Sequence, residues 1–194
     1  NRYVVLCMNT DKICIFTDKG KMHSIKAADI PLVRFRDKGT PADNLSNYDS
    51  SQERMLYVAP LGQIRQDQLL FVTRASMCKL VEGTEFDVAK RTIAATKLAQ
   101  DDELVFVGSA GEMEQVVFQS NGGYFLRFLK QEISTARRAA LGVRGTKLAQ
   151  EDYVEHAYLL SGHQEYAISY HDREYPLNKV RLGKRDTRGI KPRS

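Results

Sequence analysis

Apolar residues in this chain come in short runs separated by clusters of Gly, Asn, Asp, Ser and Lys. Ile13-Cys-Ile-Phe-Thr17, Leu69-Leu-Phe-Val-Thr73 and Gln115-Val-Val-Phe-Gln119 are the clearest. Runs this short, rich in β-branched and aromatic residues and bounded by turn formers, read as strands rather than helices. The first stretch predicts an antiparallel meander of Tyr3-Val-Val-Leu-Cys-Met8, Ile13-Cys-Ile-Phe-Thr17 and Gly20-Lys-Met-His-Ser-Ile25. A loop with two prolines, Pro31 and Pro41, excludes regular helix after it. A strand at Met55-Leu-Tyr-Val-Ala59 closes the unit. The plan then recurs. Leu69 to Thr73 and Met77-Cys-Lys-Leu-Val81 predict a hairpin, followed by a basic loop, a strand at Ala94-Ala-Thr-Lys-Leu98 and a closing strand at Leu104-Val-Phe-Val-Gly108. In the third unit Asn121-Gly122 marks a hairpin turn between Gln115–Gln119 and Tyr124-Phe-Leu-Arg-Phe-Leu129, with Tyr153 to Leu160 closing it. A fourth begins at Tyr166-Ala-Ile-Ser-Tyr170 and Tyr175-Pro-Leu177 and runs into a basic piece without a closing strand. Only 131–140 offers a plausible helical turn.

The repetition is explicit in one place: Thr96-Lys-Leu-Ala-Gln100 returns as Thr146-Lys-Leu-Ala-Gln150. Self-similarity at about 50 residues marks a repeat architecture. The expected fold is all-β: about four blades of four short antiparallel strands in a propeller-like array, with repeats at 1–61, 62–111, 112–162 and an incomplete 163–194. Two packed β-sandwiches are the competing architecture. In the repeat, Lys97-Leu98 and Lys147-Leu148 are expected to be scaffold strands.

The 42% apolar content is ample for a core. No apolar run reaches the length needed to span a bilayer, and the N-terminus lacks a signal-peptide pattern. The first residue is Asn1 rather than Met, so the chain is expected to be a piece of a longer protein. Three cysteines at loose spacing fit a reducing, cytoplasmic compartment rather than a disulfide framework, with Cys7 and Cys14 expected to be buried apolar residues. The formal charge of +5 is unevenly spread. Residues 173–194 hold eight Lys or Arg against two acidic groups, and the rest of the chain is nearly neutral. A basic end with local basic loops points to a polyanionic partner.

Catalytic patterns are missing. There is no phosphate-cradling G-x-x-x-x-G-K-[ST] and no G-x-S-x-G elbow. His23, His156, His163 and His171 show no metal-ligand spacing. No catalytic residue, metal or cofactor is therefore expected in this chain. What remains is a basic loop after each hairpin: Arg34, Arg36 and Lys38; Lys90 and Arg91; Arg137, Arg138 and Arg144; and Lys184, Arg185 and Arg188, flanked by Lys179, Arg181 and Lys191. Gly39, Gly142 or Gly145, and Gly189 follow the basic residues in three of the four. Arranged radially, equivalent loops fall on one rim and make a curved positive stripe. Such a stripe suits the closely spaced phosphates of duplex DNA, with little sequence preference because phosphate contacts position and do not specify. A propeller-like interaction module for acidic protein partners is the alternative.

At these residues the chain resembles the C-terminal domain of bacterial type IIA topoisomerase A subunits, those of DNA gyrase and topoisomerase IV. The resemblance rests on Phe16-Thr-Asp-Lys-Gly20, Ile30-Pro31, Lys38-Gly-Thr-Pro41 with Asn44-Leu45, Asp101-Asp-Glu-Leu-Val105, Arg127-Phe128, and Gly142-Val-Arg-Gly145 with Lys147-Leu148. It implies a β-pinwheel whose neighbouring blades exchange strands and whose outer rim binds and bends double-stranded DNA near the nucleoid. It also implies that the DNA-cleaving tyrosine, ATP and Mg belong elsewhere in the holoenzyme, which comprises the ATPase B subunit as well as the remainder of the A subunit. The gyrase box Q-[KR]-[KR]-G-G-[KR]-G has no intact copy. Gly183-Lys-Arg-Asp-Thr-Arg-Gly189 keeps its basic positions and last Gly but not the Gln or the glycine pair. Either a first blade precedes Asn1 or the protein is of the topoisomerase IV type.

Overall fold

The computed structural model describes residues 3–193. Thirteen strands lie among them: β1 Lys12–Thr17, β2 Lys21–Lys26, β3 Met55–Pro60, β4 Gln68–Thr73, β5 Met77–Glu82, β6 Thr92–Ala94, β7 Leu104–Ser109, β8 Gln115–Ser120, β9 Phe125–Leu129, β10 Val143–Arg144, β11 Val154–Leu160, β12 Ala167–Tyr170 and β13 Arg173–Pro176. Two single helical turns, α1 Ala42–Leu45 and α2 Leu61–Ile64, and four short 3-10 turns complete the elements. One 3-10 turn, Lys130–Glu132, overlaps only the first two residues of 131–140, where the sequence suggests a helical turn, and the rest of that stretch is not helical.

Four small sheets form, with orders β3-β1-β2-β6, β10-β5-β4-β7, β11-β8-β9 and β12-β13. The first three are built alike. A hairpin pairs with a later closing strand on one side. On the other side it receives a segment from the next unit. Thus β6 lies on β2 through Lys21↔Ala94 and His23↔Thr92. In the second sheet β10 lies on β5 through Val143↔Cys78, and in the third Ile190 bridges Phe125. This is the strand exchange of a pinwheel. It corrects two expectations: the strand placed at 94–98 runs from Thr92 to Ala94, and it belongs to the sheet before it.

Why the strands read as continuous apolar runs is now clear. Each of the first three sheets is covered on both faces, so both sides of the pleat must be apolar. On β4, Leu69 and Phe71 join Cys14, Phe16, Met22 and Phe86 in one core, between the first and second sheets. Leu70 and Val72, alternating with them, join Val116, Phe118 and Phe128 in a second core. On β8, Val117 turns the other way to meet Phe125, Leu177 and Val180 beneath the fourth hairpin. Phe16 meets Phe71 and Phe86 edge-on, at ring-centroid distances of 6.0 and 5.2 Å, a favoured aromatic geometry. The outer face of the first sheet is closed by Leu45 and Tyr48 packing on Ile15 and Ile25.

The TKLAQ copies adopt one conformation. Asp101 and Glu151, which follow them, are both left-handed, with φ 62° and 64°. Asp102 and Asp152 then accept backbone N–H bonds from the next residue and from the preceding hairpin turn, at Ala75 and Gly122. Leu98 and Leu148 peg the copies to successive cores. Neither Lys97-Leu98 nor Lys147-Leu148 is a strand, contrary to expectation. Residues 3–8 are not a strand either and are mostly exposed. Their composition is strand-like, but no neighbouring strand among the described residues pairs with them. For the same reason Cys7 is exposed rather than buried, whereas Cys14 and Cys78 are buried, with thiols pushed up to about 12 by desolvation. None of the helices is long and apolar enough to cross a membrane among the described residues.

Candidate nucleic-acid interface

Three of the four basic loops are the segments that cross from one unit to the sheet of the previous one. In the second, third and fourth units this arm leaves the end of its hairpin, makes a 3-10 turn, and runs along the second hairpin strand of the preceding sheet. The first unit's loop makes the same turn and then lies exposed. In the third unit the crossing is fixed by bonds from Leu80 N–H to Ser134 O and from Ala136 N–H to Leu80 O. Gly142 then passes close to the β5 backbone. It has φ +91°, and a Cβ there would lie 2.3 Å from Cys78 O. That approach demands glycine. Gly39 has no atom within 4 Å of such a Cβ, because its arm rests on no sheet among the described residues.

Successive arms also hold one another. Lys97 N–H donates to Arg138 O at 2.9 Å, and Lys147 N–H to Thr187 O at 2.9 Å. These two lysines occupy the same place in the TKLAQ copies. Thr146 Oγ1 donates to Thr187 O, and Asp186 N–H to Gly145 O. On the other side, Asn47 Nδ2 donates to Thr92 Oγ1, and Arg91 to Leu45 O. The arms of the second, third and fourth units therefore lie side by side in chain order, so their basic residues fall in one row, whereas the first loop, with Arg34, Arg36 and Lys38, is exposed and bonded to none of them among the described residues.

Within the row the basic residues divide into two groups. Arg138 and Arg185 act as staples. The backbone N–H of each donates to a Glu in the preceding unit, Glu85 and Glu132. The Nη1 of each donates to a carbonyl of the preceding arm, Ala94 O at 3.1 Å and Arg144 O at 2.7 Å. Arg185 Nε also donates to Glu132 O. Arg91, on Leu45 O, has a similar task. Arg144 pairs with Asp186, which holds that exposed carboxyl below its usual range. The other group is free. Lys90, Arg137, Lys179, Arg181, Lys184 and Arg188 are exposed, as are Arg34, Arg36 and Lys38 on the first loop outside the row, and the side chains of these residues make no hydrogen bond or ion pair among the described residues. Lys191 lies 5.0 Å from the Tyr124 ring centroid.

Between the arms of the second and third units an open groove of about 1020 Å³ is lined by Lys90, Lys97, Arg137, Arg138, Thr96 and Glu85. Its floor depends on a residue that sequence reasoning passed over. Lys79 of β5 is 1% exposed. Its Nζ donates to Arg137 O, Arg138 O and Ala140 O at 2.9, 2.8 and 2.7 Å. Lys97 and Lys147 were also not singled out as contacts, although the repeated pentapeptide places both, exposed, on the arms. A lysine inside an apolar strand run was the available signal for Lys79. Among the described residues no three His, Cys, Asp or Glu side chains gather as a metal site.

Comparison with known proteins agrees with this architecture. The family model described as the DNA gyrase C-terminal domain, beta-propeller, matches residues 11–50, 67–110 and 114–161. The DNA gyrase A subunit of Ureaplasma parvum is 28% identical over 193 residues, 96% of this chain and 23% of that protein. The DNA topoisomerase 4 A subunit of Bacillus subtilis is 28% identical over 148 residues, 75% of this chain and 19% of that protein. The chain thus spans about a quarter or less of the length of these relatives. Among solved structures, the C-terminal domain of DNA topoisomerase IV superposes with a TM-score of 0.84 at 24% identity, covering 94% of this chain and 58% of that one. A DNA gyrase A C-terminal domain gives 0.70 at 21% identity, covering 96% and 61%. With the family model matching well over half of its length, the chain belongs to the family of DNA gyrase C-terminal β-propeller domains.

Proposed function

We propose that the row of arms binds the backbone of duplex DNA and bends it, in the service of a type II topoisomerase. The observation that carries this reading is the division of labour among the basic residues. Staples such as Arg138 and Arg185 fix each arm to the next, while the neighbouring Lys90, Arg137 and Lys184 carry free charged heads. Cationic groups held in a fixed row and left unpaired suit a ligand with repeated anionic groups. Bending 20–30 base pairs through a large angle costs about 1–6 kcal/mol, which several charge-assisted phosphate contacts offset.

In this reading the domain contributes no catalytic group. Strand cleavage, ATP and Mg belong to the B subunit or to the rest of the A subunit, and the assembly acts on chromosomal DNA in the cytoplasm. Affinity for random-sequence duplex DNA across a salt series tests the proposal. Four or more phosphate contacts give a log–log slope of about −4 or steeper. Binding that is absent, or indifferent to salt, contradicts it.

A further inference from the structure

We infer that Lys79 is a positioning residue for this interface: from inside the second sheet it ties down the turn that presents Arg137 and Arg138. The inference rests on the reading of the arms as a phosphate-binding row.

The geometry is specific. Lys79 belongs to the second unit, yet its three bonds go to carbonyls of the third unit's arm, 58 to 61 residues later. An ammonium has three hydrogens and no acceptor. All three hydrogens are used, on Arg137 O, Arg138 O and Ala140 O. Burying a cation among apolar residues is tolerated only when its donors are satisfied. Here the satisfaction comes entirely from the arm, so the charge and the shape of the turn depend on each other. With these carbonyls drawn inward, the Arg137 side chain points to solvent beside the groove, and Arg138 reaches Ala94 O on the neighbouring arm. The matching register position holds His23 in the first sheet, where Nδ1 lies 2.9 Å from Thr92 Oγ1 of the incoming arm. Fastening the arm from this position is thus done twice, with different chemistry.

The charged groups facing Lys79 are few. Glu85, on the 3-10 turn after β5, favours its charged form, and Arg138 on the arm opposes it. From β4 it meets the Phe71 ring, 5.9 Å from Nζ. Gly142 and the buried Cys78 flank its Cβ and backbone. Desolvation dominates and pushes the ammonium down to about 8. Above that pH a neutral amine has two hydrogens for three carbonyls, so one carbonyl loses its partner and the turn is held less firmly. Global stability moves the other way. The folded state gives up this proton more readily than the unfolded chain, so folding is favoured as pH rises from about 8 toward the ordinary lysine range. A fall in DNA affinity over this interval is therefore not a sign of unfolding.

The experiment is the affinity of the full chain for random duplex DNA at fixed salt from pH 6.5 to 9.5, in the unmodified protein, Lys79→Met and Arg137→Ala. The expected result is a fall of about three- to tenfold in the unmodified protein across pH 8, the size of one lost contact. Lys79→Met should already be weakened at pH 7 and show no step. Arg137→Ala, an exposed change that leaves the fold intact, should be weakened and show a smaller step. A flat profile in the unmodified protein overturns the inference even if Lys79→Met fails to fold, as does an equal step in Lys79→Met. Either of these, with Arg137→Ala still weakened, leaves the DNA-binding reading standing. No binding by the unmodified protein at any pH removes that reading and the inference with it.

Discussion

At Arg138 the guanidinium donates to Ala94 O, while the side chain of Arg137, one position earlier, engages nothing among the described residues. Truncating them should separate stability from binding. Arg138→Ala removes a bond between two arms and should lower unfolding free energy by about 1 kcal/mol. Arg137→Ala should leave the urea midpoint unchanged and weaken DNA binding. A second residue-scale feature is the buried pair of His23 and Glu53. Nε2 lies 3.0 and 2.9 Å from the two carboxylate oxygens, and Thr17 Oγ1 and Asp49 N–H also donate to them. Burial pushes the Glu53 carboxyl up, but the bonds from His23, Asp49 and Thr17 outweigh it and hold the carboxyl below its usual range. Its contribution to stability is thus present above the ordinary carboxylate range and is lost as pH falls through its lowered folded value. Glu53→Ala should cost about 3–5 kcal/mol near neutral pH, and less at acid pH. A urea series at pH 7 and pH 3 checks both the size and the slope.

At the scale of elements, the hairpins and closing strands could be read from the chain because continuous apolar runs bounded by Gly, Asn and Asp leave little choice. Double-sided burial is what makes those runs continuous, and β4, with Leu69 and Phe71 on one face and Leu70 and Val72 on the other, shows it directly. The arms were harder to read. Val143–Arg144 and Thr92–Ala94 are too short to carry a period, and their pairing partners lie in the preceding unit. Repetition located the basic loops, and the family resemblance supplied the exchange. Neither separates a stapling arginine from a free one, since that depends on which carbonyls come within reach. Residues 3–8 show the converse: a strand-like composition makes no strand without a neighbour. The arm's need for close approach gives a test. Gly142→Ala should destabilise by about 1–3 kcal/mol through its left-handed backbone and the contact with Cys78 O. Gly39→Ala, with open space around it, should be neutral or slightly stabilising. Thermal unfolding of the two variants side by side makes the comparison.

At the scale of the whole molecule, consecutive sheets share cores, consecutive arms share hydrogen bonds, and the free cations follow the arms. The salt dependence of DNA binding reports on that row as a unit, and the most direct measurement compares its slope in the unmodified protein with that of a triple Lys90→Ala, Arg137→Ala, Lys184→Ala variant, on two duplexes of unrelated sequence. Removing three phosphate contacts should flatten the log–log slope by about 2.7, at about 0.9 per contact, and by the same amount on both sequences. An unchanged slope in a folded triple variant, or a loss confined to one sequence, would contradict the account.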